Sequence, residues 1–296
     1  MEIVRDIAGL GPYAGNVFVP TMGALHDGHA ALIRAAAKAA ADETRRGREI
    51  AARPVVVSVF VNPTQFNDRS DFDRYPRTLE RDAAIAEEAG ADVVFAPGVD
   101  LIYARDGDGK ELAPAVRDEQ LPEVARLPRL EDAHRPGHFA GVYQVVKRLF
   151  ELVRPAAAIF GEKDWQQLQL IRALVAREKM PIEIIPHATI REPDGLAMSS
   201  RNARLSADER ARAVSLWRAI LASQRHRTSQ EAEAAGASVL RAAGVEPEYI
   251  SIRDTETLLP IIDAGLRGRQ GRVLVAANVG TTRLIDNAAW PDPGLR

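Results

Sequence analysis

The sequence predicts an α/β protein: a parallel sheet with crossover helices over about the first 180 residues, followed by a smaller α+β domain. Three observations carry this. Short apolar runs alternate with helical patterns through the first part of the chain. Two prolines, Pro181 and Pro186, interrupt both helix and strand within Lys179–Pro186, and the pattern changes beyond Ile182. The chain has 296 residues, and a typical domain takes about 150. The domains are therefore drawn at residues 1–187 and 188–296.

In chain order, the first strand is expected at Val17–Pro20, followed by a glycine-containing turn and an alanine-rich helix from Ala30. The second, Val55–Val61, ends at Asn62-Pro63, where proline stops the ladder. The third is Asp92–Ala96. The fourth, Ala157–Phe160, ends at Gly161, and a helix follows from Trp165; Asp164 with Gln167 three residues on is a capping-box pattern. In the second domain a strand-like run, Ile182–Ile190, leads into the polar loop Arg191–Asn202. Ser206 with Glu209 and Thr228 with Glu231 each open an alanine-rich helix. Strands are expected at Tyr249–Ile252 and Val273–Ala277. No internal repeat is present.

Composition narrows the function classes. Hydrophobic residues make up 46% and charged residues 27%, enough apolar material for a core without a staple. There is no cysteine, which excludes a disulfide framework and a thiolate zinc site and fits a cytoplasmic protein. The segment MEIVRDIAGLGPYAG carries acids and no long apolar stretch, unlike a signal peptide. The longest strongly apolar run, Val55–Val61, is far short of the ~20 residues that span a bilayer. The net charge of −2 calls for no nucleic acid. Arg45, Arg46, Arg48 and Arg53 sit among Asp42, Glu43 and Glu49 and read as a solvated helix end or loop.

Chemistry concentrates in four stretches. In the first, Met22-Gly23-Ala24-Leu25-His26-Asp27-Gly28-His29, a strand gives way to a helix, so free N–H groups and the positive dipole end suit a phosphate. Gly28 admits a phosphate close to the backbone. His26 and His29, three apart, share a face of the first turn and offer donors to phosphate oxygens. Surface histidines near a cap are the bland alternative, but HxGH at a strand-to-helix junction is the signature of the nucleotidyltransferase superfamily. The second stretch holds Asn62 and Gln65, uncharged amides at the carboxyl end of a strand that suit a hydroxyl or carboxylate; an Asn-Pro turn with a surface glutamine would look the same. In the third, Gly161-Glu162-Lys163-Asp164, Lys163 reaches a phosphate as a mobile point charge, while Asp164 and Gln167 serve equally as a cap. The fourth, Met198-Ser199-Ser200-Arg201, is a hydroxyl-rich loop with a permanently charged fork that can fold over a triphosphate, or an ordinary exposed loop.

Together the stretches VPTMGALHDGH, VSVFVNPTQF, RYPRTLERD, GHFAGVYQVVKRLFELVRP, FGEKDWQQLQLIRAL, REPDGLAMSSRNARLS and GTTRLIDN, in this order from Val19 to Asn287, resemble the pantoate–β-alanine ligases. The resemblance implies a Rossmann-like N-terminal domain, a smaller α+β C-terminal lid domain, Mg2+ with ATP as co-substrate, and a homodimer. It implies that pantoate is activated as pantoyl adenylate and that β-alanine then displaces AMP. By matching position, Met22 to His29, Gly161 to Asp164, Ile190 and Met198 to Arg201 would form the ATP site, with His29 as proton donor and His26 and Lys163 beside it. Gln65 would contact pantoate and β-alanine, and Gln167 pantoate; Asn62, Tyr75 and His138 fall in matching motifs. Three positions depart from the family pattern: Trp165 replaces a usual Tyr, Gln144 a usual Thr, and Arg81 an often acidic position that is sometimes a magnesium contact. The metal ligands are thereby left open, with Glu80 and Asp82 nearby. Two other readings compete: another HxGH nucleotidyltransferase of cofactor synthesis, which would release no AMP, and a non-catalytic nucleotide sensor.

Overall fold

The computed structural model describes residues 1–45, 53–66, 72–105, 111, 113–261 and 270–291, with side chains 42–45 excepted. The charged run from Asp42 to Glu49 therefore lies outside the described side chains. By its contacts the chain divides into two units. The first comprises Met1–Arg126, Glu131–Gly161 and Gln167–His187; the second comprises Leu127–Leu130, Glu162–Gln166 and Ala188–Arg296.

The first unit is built on a six-stranded sheet of β1 (Glu2–Val4), β2 (Val17–Thr21), β3 (Val55–Val59), β4 (Val93–Phe95), β5 (Ala157–Gly161) and β6 (Glu183–His187), in the order β1-β4-β3-β2-β5-β6. Every pairing is parallel. Helices cover both faces of such a sheet, so its inner strands are continuously apolar; Val17–Val19, Val55–Val57 and Val93–Phe95 are all buried. The helices that matter here are α1 (Asp27–Arg45), α2 (Leu79–Glu88), α3 (His138–Val153) and α4 (Trp165–Arg177). Ile33 and Ala36 of α1 and Ala83 and Ala86 of α2 join Val19, Val57 and Val94 in one core cluster. From β2 the chain builds outward to β3 and β4 on one side and later returns to β5 and β6 on the other. The switch point lies between β2 and β5, and ligands of open α/β sheets bind at the carboxyl ends of the strands at such a point.

The run expected at Ile182–Ile190 is a sixth parallel strand that stops at His187, not a strand of the second domain. Pro186 sits inside it, which an edge strand tolerates because one side of its ladder is unpaired. The run expected to reach Val61 leaves the sheet after Val59. β1, of three residues, falls outside the expected strands.

The second unit folds around an antiparallel sheet of β7 (Pro247–Asp254), β8 (Gly271–Val279) and β9 (Thr282–Trp290), with α5 (Ala207–Ala213), α6 (Ser215–Ser223) and α7 (Ser229–Ala242). Leu216, Ile220 and Leu240 pack on Val273, Val275 and Trp290. The Ser206–Glu209 capping box is formed in both directions. Thr228 accepts the Glu231 N–H, and its own hydroxyl donates to the Glu231 carboxylate. Among the described residues no helix is long and apolar enough to cross a membrane.

Candidate active site

The turn that follows β2 is fixed from below. The Thr21 hydroxyl donates to Ser58 O on β3 (2.6 Å) and accepts the Gly23 N–H (3.1 Å). Gly23 (φ 79°) is left-handed, and a Cβ there would stand 2.9 Å from Asp82 Oδ2, so only glycine fits. Asp82 of α2 is 1% exposed. Its carboxylate accepts the N–H groups of Ala24 (3.0 Å) and Leu25 (2.7 Å) and the Thr78 hydroxyl (3.2 Å). A buried carboxylate is tolerated only when so bonded, and here its bonds set the path by which the chain enters α1.

His26 and His29 stand at the start of α1, half-buried, with ring centroids 4.1 Å apart. The Gly28 N–H donates to His26 Nδ1 (3.1 Å), and the His26 N–H points at His29 Nδ1 (3.4 Å). An Nδ1 that accepts carries no proton in the neutral ring, so each Nε2 is left as the N–H donor. Two side-chain donors are thus held at a helix N-terminus, where the dipole already favours an anion.

The Asn62–Gln65 turn abuts this site. Gln65 Nε2 reaches Met22 Sδ (2.6 Å), so two stretches distant in sequence meet. Asn62 is 1% exposed and is used within the fold. Its Oδ1 accepts the Thr64 N–H and hydroxyl, and its Nδ2 donates to Gln65 Oε1 and Gly141 O. Asn62 therefore shapes the turn that presents Gln65. Gly141 of α3 permits the approach: a Cβ there would lie 2.6 Å from Thr64 O. His138 Nδ1 lies 3.0 Å from Gln65 O, and Tyr75 packs edge-on against Phe66 at 5.5 Å. Gln144 donates to Ala113 O, which is what this amide does in place of a threonine. Gln167 is half-buried on α4.

In the second unit the Glu162–Asp164 turn is gripped by β8 and β9. Asn287 Nδ2 donates to Glu162 O (3.0 Å) and Lys163 O (2.7 Å). Arg272 donates to Asn287 Oδ1 (2.5 Å) and Glu162 Oε2 (2.8 Å), and its guanidinium lies 3.4 Å above the Trp165 ring. The Trp165 indole donates to Thr255 O (3.0 Å). Trp165 thus gives Arg272 a broad stacking face. Among the described residues Lys163 Nζ has a loose carboxylate partner, Asp164 Oδ2 at 4.0 Å.

The Ile190–Arg201 loop is anchored at its base. Met198 N–H donates to Ile190 O (2.9 Å), so these two expected site residues are neighbours. Arg191 grips Asp286 of β9 through both oxygens (2.6 and 2.9 Å) and stacks on Trp217 at 3.6 Å. Burial pushes the Asp286 carboxyl up, against the opposing pull of Arg191. Ser199 caps the short turn Ser200–Arg204 by accepting the Arg201 N–H.

The acids near Arg81 do not form a magnesium site. Glu80 and Arg81 are exposed, and the Asp82 oxygens are occupied by the turn. Among the described residues no cluster of three or more His, Cys, Asp or Glu could hold a metal. Asp82, Arg272, Asp286 and Asn287 were assigned no role from the sequence. The signal for Asp286 and Asn287 was GTTRLIDN, where both stand in the expected family stretch.

A parallel sheet with an HxGH turn at its switch point defines an α/β enzyme of the nucleotide-handling kind. The family model described as pantoate-beta-alanine ligase matches residues 9–289. The chain is 48% identical over 91% of its length to pantothenate synthetase of Nocardioides sp., covering 77% of that protein. It is 46% identical to that of Rubrobacter xylanophilus over 98% of this chain and 95% of the other. The crystal structure of pantothenate synthetase from Thermus thermophilus superposes with a TM-score of 0.82 at 44% identity, over 97% of this chain and 99% of that one. That of pantoate-beta-alanine ligase from Francisella tularensis, complexed with beta-gamma ATP and β-alanine, gives 0.71 at 32% identity over 97% of each. The chain belongs to the pantoate–β-alanine ligase family and is a ligase.

Proposed function

We propose that this enzyme condenses pantoate with β-alanine to pantothenate through pantoyl adenylate. The observation that carries the reading is the turn after β2, with the His26 and His29 Nε2–H groups and the start of α1 held by Asp82. Preorganised donors of this kind act where charge develops. A pantoate carboxylate oxygen attacks the α-phosphorus of ATP, the bond to the bridging oxygen breaks, and pyrophosphate leaves with its new charge met by the imidazoles and Lys163. The β-alanine nitrogen then attacks the acyl carbon, the bond to AMP breaks, and the amine gives up its proton. Met22 to Leu25, Asp27, Gly28, Gly161, Glu162, Asp164, Ile190 and Met198 to Arg201 complete the nucleotide site in this reading, and Gln65 and Gln167 hold pantoate. The ligands named for the Francisella structure, ATP and β-alanine, support the same assignment. Magnesium enters as the ion the triphosphate carries, and no step passes through it. A homodimer in the cytoplasm, with residues 1–187 binding nucleotide and pantoate and 188–296 as the lid, completes the proposal.

The test is isotope exchange. Enzyme with magnesium, ATP and pantoate, but no β-alanine, should move labelled pyrophosphate into ATP, and omission of pantoate should abolish this. Exchange that ignores pantoate but answers to a phosphorylated alcohol would point instead to a plain nucleotidyltransferase. No turnover in folded protein would point to a nucleotide sensor.

A further inference from the structure

We propose that Asn287 is a positioning residue for adenylate formation: from β9 its side-chain amide fixes the backbone from which Lys163 reaches the phosphates of ATP. The inference rests on the role given to Lys163 above and adds the residue through which that role is set.

Asn287 is 3% exposed and lies in the middle of β9, facing Leu274 of β8. A polar amide is costly in such a place unless its groups are bonded. Both hydrogens of Nδ2 go to consecutive carbonyls, Glu162 O and Lys163 O, and Oδ1 accepts from Arg272. Two carbonyls bound to one nitrogen hold the two peptides that flank Lys163. The lysine side chain is otherwise loosely held, with a carboxylate at 4.0 Å and 19% exposure. Its direction is therefore set at its base, because a lysine ammonium is a point charge on a flexible stem. Arg272 reinforces the lock by bridging Asn287 to Glu162 and stacking on Trp165. The preceding residue, Asp286, holds Arg191 at the foot of the Ser199–Arg201 loop. Adjacent residues of one strand thus anchor the Lys163 turn and the foot of the loop that bears Arg201.

A double-mutant cycle on the full chain separates positioning from mere support of the fold. Pyrophosphate exchange and melting temperature are measured for Asn287→Ala and Asn287→Ser, each in the native and Lys163→Ala backgrounds, with enzyme raised as needed. In the native background Asn287→Ala should lower the exchange rate on the order of 10²-fold, the effect of misplacing a group by about 1 Å. Asn287→Ser, which keeps one donor, should fall between. The apparent affinity for pantoate should not move. In the Lys163→Ala background each change should shrink to about twofold or less, as expected when the second residue acts only through the first. The same fold-loss in both backgrounds overturns the proposal, as does a rate loss that merely follows the folded fraction. Should Asn287→Ala fail to fold, the Asn287→Ser cycle decides in the same terms. Absence of exchange in the wild-type enzyme would instead count against the functional reading and leave the two failures distinct.

Discussion

A histidine whose Nδ1 accepts a backbone N–H has committed its tautomer before any ligand arrives. That holds for His26 and His29, whose Nδ1 atoms take the N–H groups of Gly28 and His26. The chemical consequence is a pair of Nε2–H donors; the backbone bond that fixes each ring is itself weak. His26→Ala and His29→Ala should therefore each lose about 10²–10³-fold in rate, the loss typical of one removed donor to developing charge. Stability should fall by only about 0.5–1.5 kcal/mol, the net worth of one hydrogen bond. Thermal denaturation beside steady-state assay checks both halves. Near-native rates in both variants would remove the imidazoles from the mechanism. Asp82 presents the opposite case at the same scale. From the sequence it was one of two acids near Arg81 that spacing could not nominate as a metal ligand, and in the structure its oxygens accept from Ala24, Leu25 and Thr78.

The elements show why some of this was legible and some was not. The apolar runs of β2 to β5 were readable because parallel strands buried on both faces need no polar alternation. The HxGH turn was readable because its chemistry is local. β9 was not, because its middle carries Asp286 and Asn287, buried polar residues with partners as far as 95 and 125 positions away. The Asp82 contacts span 57 and 58 positions, and no local rule reaches that far. The Asn62–Gln65 turn shows the same limit: the sequence left ligand contact and a plain Asn-Pro turn both open, and the bond from Asn62 reaches Gly141 O on α3, 79 positions away. The tightness of that junction is itself testable. A Cβ on Gly141 would lie 2.6 Å from Thr64 O and 2.9 Å from Gln65 N, both backbone atoms, so the turn must move. Gly141→Ala should cost about 1–3 kcal/mol of stability through overpacking. It should also raise the KM for pantoate while leaving that for ATP unchanged, since the Thr21–His29 turn is fixed separately by Asp82. Substrate titrations one at a time would show this, and a defect confined to ATP would contradict the placement of Gln65.

For the whole molecule, the groups able to activate a carboxylate decide the route. The chain has no cysteine, so no thioester can form on the protein. The cationic and donor groups proposed above for the nucleotide, His26, His29, Lys163 and Arg201, suit a polyphosphate rather than an acyl group bound to the enzyme. Activation must then occur on the nucleotide, and the position attacked decides the products. Attack at the α-phosphorus gives AMP and pyrophosphate, whereas attack at the γ-phosphorus gives ADP and an acyl phosphate. In the proposed function the first route applies, with the developing charge on the leaving pyrophosphate met by several donors together. Full turnover with ATP, pantoate and β-alanine should therefore yield AMP and pantothenate in equal amounts, with no ADP. Chromatographic separation of the nucleotides at several time points, alongside quantified pantothenate, makes the comparison. ADP rising in step with product would replace the adenylate by an acyl phosphate, and AMP in excess of pantothenate would show an adenylate lost to water before the amine arrives.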